Sequence, residues 1–546
     1  MVGRIARVCI IGAGPSGLVS CHEALRAGLD VRVFERARSV GGVWRAPDDG
    51  GLVWNDMRAN LSAHSCVFSD WPWERAAELD SNCAIVADAL GRGKAELSIF
   101  PTEIAVRAYL RTYCDAFGLW KNIEFESEVC QIHSERTDDG EEAWRVTVET
   151  AGRMHDARFD YVVVCVGVFH TPSIPKLYEV GDGVIHANKF SGTNDVGEHV
   201  LVVGGAFSGC EIAAVIARER NVPVVHSVNK QAWIVPRMIP RRHGSVPIDL
   251  FFYRRDLEEP LRGERERSNV EAAAYFRKLC PKQAEGSVMV HTRSHEPQFL
   301  VVSDEYVNLV MGGKVQVVGR VDDVRREDGH LICKAGETAV VADSVLLCTG
   351  YYPPSLDFLP QIVRDGVRAS KDQFVPLLLD RGTLPAYSTD WDTKVPVGAS
   401  VHRRPLHERM AFVGMYRGPY FGILELQARW VVHALCVRST SSVHPSPCPP
   451  VPLAEVVRGV RREFALRNRK PRPQFPHPDY VGLCNTLAAA IGALPDVDDN
   501  RDGVAHMVRN GPVVPAQYRL RGVHADRAAA VAVIRKAYRQ SEHQCT

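Results

Sequence analysis

An excess of charge is the first thing this sequence lacks: 66 Lys and Arg face 65 Asp and Glu, leaving a net charge of +1. Nothing global therefore favours nucleic acid or an acidic surface, and aromatics are not interleaved with the basic runs in a nucleic-acid pattern. The 15 cysteines are scattered with no Cys-x-x-Cys pair. That argues against a dithiol redox centre and fits a reduced, cytoplasmic protein better than a disulfide framework. Metal motifs are missing too: no His-Glu-x-x-His, no cysteine–histidine cluster and no acidic calcium loop, so no metal is expected. Apolar runs such as 161–169 are too short to span a bilayer, and a strand starts too early to leave room for a signal peptide. The expectation is a soluble globular chain whose 546 residues suffice for two or three domains.

What the sequence does have is two glycine-rich turns, each between an apolar run and a helix-like run. The first is Gly12-Ala13-Gly14-Pro15-Ser16-Gly17, after Val8-Cys9-Ile10-Ile11 and before 18–27. The second is Gly204-Gly205-Ala206-Phe207-Ser208-Gly209, after Val200-Leu201-Val202-Val203 and before 210–220. A buried strand, a turn without Cβ atoms and a helix N-terminus form a pyrophosphate cradle, because backbone N–H groups and the helix dipole both favour the anion. A single match also occurs in ordinary strand–helix turns. Two in one chain point to two dinucleotides that exchange electrons.

After the first unit, 30–35 reads as a second strand ending in Glu35, where a carboxylate accepts hydrogen bonds from an adenosine ribose. Gly41-Gly42-Val43-Trp44 is a further close-approach loop carrying a large aromatic. Strand-like runs 161–165 and 344–348 lead into Val166-Gly167 and Thr349-Gly350, turns of the kind that return a chain to a nucleotide sheet. Segment 255–285 reads as a charged, helix-prone insertion, 365–405 holds little regular pattern, and 439–452 is a Ser- and Pro-rich exposed loop.

Taken together, these motifs resemble those of the flavin-containing monooxygenases along most of the chain. The first glycine turn and Gly41 to Trp44 match, as do Ala59-Asn60-Leu61-Ser62 and Phe68-Ser69-Asp70-Trp71-Pro72-Trp73. So do Phe159-Asp160 through Gly167, Asp343 through Tyr351, Glu425-Leu426-Gln427-Ala428-Arg429-Trp430, and the run from Gly511-Pro512 to Arg519-Leu520. The resemblance implies an α/β fold with two Rossmann-like dinucleotide-binding domains: an FAD domain over 1–195 and 346–546, with an NADP domain inserted over 196–345. Membrane-anchored relatives add a hydrophobic tail, whereas 524–546 carries charges here, so no membrane anchor is expected. A homodimer is left open.

The resemblance further implies a cycle in which NADPH reduces FAD, and reduced flavin captures dioxygen as a flavin hydroperoxide. One oxygen then passes to a soft nitrogen or sulfur of a small molecule. The cofactor carries the reactivity, so no nucleophile triad is needed. By this reading Gly12, Ala13, Gly14, Pro15, Ser16 and Gly17 seat the FAD pyrophosphate and Glu35 its ribose. Gly42, Val43, Trp44 and Leu61 lie along the cofactor. Gly204, Ser208, Gly209 and Glu211 sit at the NADP pyrophosphate. Asn60 is the candidate catalytic residue, since its amide both donates and accepts without titrating. Arg429 is expected to pair with Glu425 at i, i+4, and His186 to link domains rather than move protons.

Some positions depart from the family pattern. In the fingerprint ending in His186 and Phe190, Val180 replaces an aromatic and Asp182 a glycine, while Ala206 replaces the middle glycine of the second turn. Where an arginine usually binds the 2′-phosphate stands Ser227-Val228-Asn229-Lys230, leaving Lys230 or Arg237 to supply that charge. The basic run 236–243 reads as a phosphate-facing or a solvated loop. Alternatives within the fold are a Baeyer–Villiger monooxygenase acting on a ketone, and an uncoupled NADPH oxidase releasing hydrogen peroxide. The pocket for substrate is expected from 255–300 and 365–405.

Overall fold

A computed structural model describes residues 5–91, 97–137, 140–242, 244–255, 266–285, 299–368, 377–385, 409–416, 418, 420–436, 453–468 and 480–542. The loop expected at 439–452, most of 365–405 and parts of 255–300 lie outside the described residues.

Two five-stranded parallel sheets organise the chain. In the first, Arg7–Ile11 lies between Asp30–Phe34 and Tyr161–Val164, with Ile123–Glu124 and Met410–Phe412 at the edges. In the second, Val200–Val203 lies between Val224–Ser227 and Ser344–Leu347, with Val315–Val318 and Val184–His186 at the edges. Central strands of such sheets are covered on both faces, which is why they read as unbroken apolar runs rather than alternating ones. All four residues of Val200–Val203 are buried. The edge strand Val184–His186 pairs in the second sheet although it precedes residue 196, where the inserted domain was expected to begin.

The two units share a plan. A three-stranded antiparallel sheet, Ser127–Arg136, Glu142–Thr150 and Arg153–Phe159, precedes the returning strand Tyr161–Val164. An equivalent sheet, Asp323–Glu327, His330–Ala335 and Thr338–Ala342, precedes Ser344–Leu347. The strand Met410–Phe412 then returns to the first sheet, so the first nucleotide unit is completed from both ends of the chain.

Helix Phe421–Cys436 lies against Pro15–Arg26, the helix that follows the first glycine turn. The expected Arg429–Glu425 pair forms at 2.7 Å, but in the core: the guanidinium is fully buried and also reaches Glu23 at 2.8 Å. Asp70, from the 68–73 motif, takes His22 at 3.2 Å, and its carboxyl is held below the usual range against the opposing effect of burial by His22 and Arg429. Glu425, crowded by burial and by Glu23 and Asp70, is pushed up to about 7. No helix among the described residues is long and apolar enough to cross a membrane.

Candidate functional site

Both glycine turns open onto one cavity of about 1810 Å³. Pockets for a single small molecule run to about 300–1,000 Å³, so this space exceeds what one needs. Its wall brings together Gly12, Gly14, Pro15, Ser16, Glu35, Gly42, Val43, Trp44, Asn60 and Leu61 with Ser208, Glu211 and Arg237. Ala13, Gly17, Gly204 and Gly209 shape the turns without being part of that wall, and Lys230 is solvent-exposed and likewise not part of it.

The turns fit pyrophosphate groups on local grounds. A Cβ on Gly17 would sit 1.8 Å from the Gly12 carbonyl oxygen, and one on Gly209 would sit 1.6 Å from that of Gly204. Only glycine lets each helix start so close to its strand. Neither Pro15–Arg26 nor Phe207–Glu219 has a capping side chain or an acidic residue in its first turn. The positive ends of both helices are thus left to the cavity, the arrangement that binds anions.

Glu35 is buried and braces the first turn: the Ala13 N–H donates to Oε2 at 2.6 Å and the Ala37 N–H to Oε1 at 2.9 Å. Each oxygen keeps a lone pair for a further donor. The loop carrying Trp44 is tied to the same turn, since the Gly41 N–H donates to the Ala13 carbonyl at 3.0 Å.

Asn60 stands where the two units meet. Arg237, from the segment after Trp233–Val235, donates to Asn60 Oδ1 at 3.3 Å, to the Ala59 carbonyl at 3.0 Å and to the Arg58 carbonyl at 3.2 Å. The same guanidinium pairs with Glu211 at 2.7 Å and Asp304 at 2.8 Å. Arg237, expected with Lys230 as a candidate for the 2′-phosphate charge, thus lies on the cavity wall with its guanidinium nearly buried and faced by two carboxylates. Of the basic run, Arg241 lies 4.9 Å over the ring of Phe251, and His243 lies outside the described residues.

Asp249 and His226, which the sequence did not single out, complete the site together with Gln427 and His186, which it did. Asp249, at the cavity wall, accepts from Ser62 Oγ and Ser65 Oγ, each at 2.7 Å, and from the Ser62 N–H at 3.2 Å. Gln427 accepts the Gly414 N–H at 3.1 Å and donates to the Arg381 carbonyl at 2.9 Å, fixing a glycine that faces Ser16 across the cavity wall. His226 supports the second turn: its Nε2–H donates to the Gly204 carbonyl at 3.0 Å and its Nδ1 accepts from Tyr306 at 2.6 Å. Burial pulls this imidazole down to about 4, so it is neutral. His186 donates to the Gly350 carbonyl at 2.9 Å, joining an edge strand of the second sheet to the turn after Ser344–Leu347. The contacts of Asp249 and His226 join residues far apart in sequence, and no spacing motif announces them.

Comparison with known proteins places this geometry. The sequence matches the family described as flavin-binding monooxygenase-like over residues 96–388 and the FAD-NAD(P)-binding family over residues 9–169. It is 26% identical over 545 residues to flavin-containing monooxygenase 5 of Oryctolagus cuniculus, spanning 96% of this chain and 90% of that one. With the N-oxide-forming dimethylaniline monooxygenase 4 of the same species it shares 25% identity, spanning 94% and 85%. Among solved structures, the S-allyl-L-cysteine S-oxygenase of Allium sativum superposes with a TM-score of 0.57 at 18% identity, covering 98% of this chain and 99% of that one. A cyclohexanone monooxygenase from Rhodococcus sp. Phi1 bound to NADP+ gives 0.56 at 14% identity, covering 90% and 98%. At these identities the structural likenesses concern the fold.

Proposed function

Since the chain belongs to the flavin-binding monooxygenase-like family, we propose that it places one atom of dioxygen on a soft nucleophilic nitrogen or sulfur of a small molecule. It is an oxidoreductase that works with FAD and NADPH. The observation that carries the finer reading is the single cavity onto which both glycine turns open, with Asn60 between them.

FAD, once reduced by NADPH, supplies the electrons that activate dioxygen; the chain supplies binding, orientation and dryness. The turn from Gly12 to Gly17 would hold the FAD pyrophosphate, with Glu35 accepting from the ribose and Gly42, Val43, Trp44 and Leu61 lining the cofactor. The turn from Gly204 to Gly209 would hold the NADP pyrophosphate at Ser208. Lys230, exposed three residues past Val224–Ser227, is the candidate partner for a 2′-phosphate, since Arg237 already faces Glu211 and Asp304. Glu211 serves the site by neutralising Arg237.

Arg237 decides what Asn60 offers. Because the guanidinium donates to Oδ1, the amide oxygen is engaged and the NH2 group is left to donate into the cavity. A neutral donor at that point stabilises negative charge on oxygen without giving up a proton. It thereby slows the competing loss of hydrogen peroxide.

The test is Asn60→Ala beside the parent, both FAD-loaded, with an amine, a sulfide and a ketone as substrates. FAD content and the rate of flavin reduction by NADPH should stay at parental values, while product per NADPH falls about tenfold and peroxide rises to match. Product yield equal to the parent's would sink the role given to Asn60. Oxidation of ketones alone would favour the Baeyer–Villiger reading, and peroxide as the sole product with every substrate class would favour the oxidase.

A further inference from the structure

The loop from Met57 to Cys66 is held by side chains from three distant parts of the chain. Arg237 grips its first half through Arg58, Ala59 and Asn60. Asp249 grips Ser62 and Ser65. The third hold comes from the last helix, Arg527–Glu542: Gln540, buried at 2% exposure, accepts through Oε1 from the Nε2–H of His64, itself 3% exposed.

That helix is also wedged beneath the segment that carries Asp249. Val531, Ile534 and Ala537 are buried in one cluster with Val246 and Leu250, which flank Asp249 in sequence. Lys536 on the same helix pairs with Glu74, just beyond the 68–73 motif. His64 in turn takes the hydroxyl of Ser62 on its own N–H at 3.3 Å, so Gln540, His64, Ser62 and Asp249 form one continuous buried chain. Burial depresses the basicity of His64, so the ring is neutral and acts as a fixed donor toward Gln540.

We propose that Gln540 is a positioning residue for oxygen transfer: through His64, the C-terminal helix sets the conformation of the loop that presents Asn60. The inference rests on the role given above to Asn60. It assigns the C-terminal helix a part in the site, although the helix has no residue on the cavity wall. Residues 60 and 64 share one short loop whose Ala59 and Ala63 N–H groups donate to the carbonyls of Pro101 and Ile99 at 2.9 and 2.7 Å, and His64, Ser62 and Asn60 all lie within its span.

The experiment compares Gln540→Met, which keeps the volume and removes the acceptor, with Gln540→Glu, which restores an acceptor. Each is made in the parent and in Asn60→Ala, all FAD-loaded. NADP+ affinity is read by titration of the flavin absorbance, and coupling as peroxide released per NADPH. Gln540→Met should bind NADP+ about fivefold more weakly and release about fivefold more peroxide, the size expected for one lost hydrogen bond. Gln540→Glu should recover most of both. Adding Gln540→Met to Asn60→Ala should raise peroxide release no further, because on coupling the two act through one group. Equal increments in both backgrounds overturn the inference, as does a Gln540→Met protein that melts earlier but keeps parental affinity and coupling. Failure of the Asn60 role has a different signature: Asn60→Ala alone with parental coupling. If Gln540→Met gives no folded protein, His64→Leu removes the same bond from the other side and is judged by the same outcomes.

Discussion

At the scale of single residues, the site depends on polar side chains whose partners leave them one state. Arg237 illustrates this: with Glu211 and Asp304 against it, burial does not discharge the guanidinium, and its basicity rises despite the cost of desolvation. His226 is the opposite case, a ring kept neutral so that it both donates to Gly204 and accepts from Tyr306. Burial takes its pKa from 6.5 to about 4. Between those values the unfolded chain binds the extra proton and the folded one does not, so stability falls as pH falls through this window and is complete above 6.5. The difference amounts to about 3 kcal/mol by pH 4. Denaturant unfolding at pH 7.5, 6 and 5 should show about 2 kcal/mol of that loss, and His226→Gln should remove this residue's share of the slope. An unchanged slope in the variant would assign the acid sensitivity to other groups, His524 being the next candidate at about 4.

At the scale of elements, the strand–turn–helix unit is used twice with the same steric logic, and this part was legible from residue types alone. Gly12 and Gly204 adopt φ of +100° and +118° against the carbonyls of Cys165 and Cys348, and Gly17 and Gly209 allow the helices to close on the turns. Such requirements are local, so a sequence motif carries them. Gly209→Ala places its methyl 1.6 Å from the Gly204 oxygen, which the backbone has to relieve by opening the turn. NADP+ binding should weaken at least about tenfold, while FAD content, set by the other turn, stays near the parent's. Titration of NADP+ against flavin absorbance checks the first, and the 450 nm absorbance of the purified protein the second. Asn60 was singled out for the related reason that it sits in a motif of contiguous residues, and it stands on the cavity wall. Arg237 was visible as a basic residue near a nucleotide turn, but its role was not, because that depends on Asp304 and on carbonyls at Arg58 and Ala59 that only folding brings to it. Asp249 and Gln540 were invisible: an acid before an apolar run and a glutamine near the end of a helix look like ordinary surface residues until their partners at Ser62 and His64 are in place.

At the scale of the whole molecule, the cavity is walled by both nucleotide units, and Asp249 is one of the side chains that tie one unit to the other. A carboxylate suits this place because it accepts three donors on two oxygens: the Ser62 N–H, the Ser62 hydroxyl and the Ser65 hydroxyl. Hydrogen bonds to a charged acceptor are each worth about 1.5–3 kcal/mol, and stripping the acceptor from buried donors adds their desolvation cost. Asp249→Ala should therefore lower the unfolding free energy by at least about 4.5 kcal/mol, and Asp249→Asn, which keeps one acceptor oxygen, by about half as much. The more telling consequence is functional. The first glycine turn and its sheet do not depend on Asp249, so FAD should remain bound. NADP+ affinity and product per NADPH should both decline, because each needs the inserted unit and the Asn60 loop in register. Measuring FAD content, NADP+ titration and product yield on the same preparation separates the two cases. Loss of all three together would mean that Asp249 supports the fold as a whole, and loss of the last two alone that it holds the two nucleotide sites to one another.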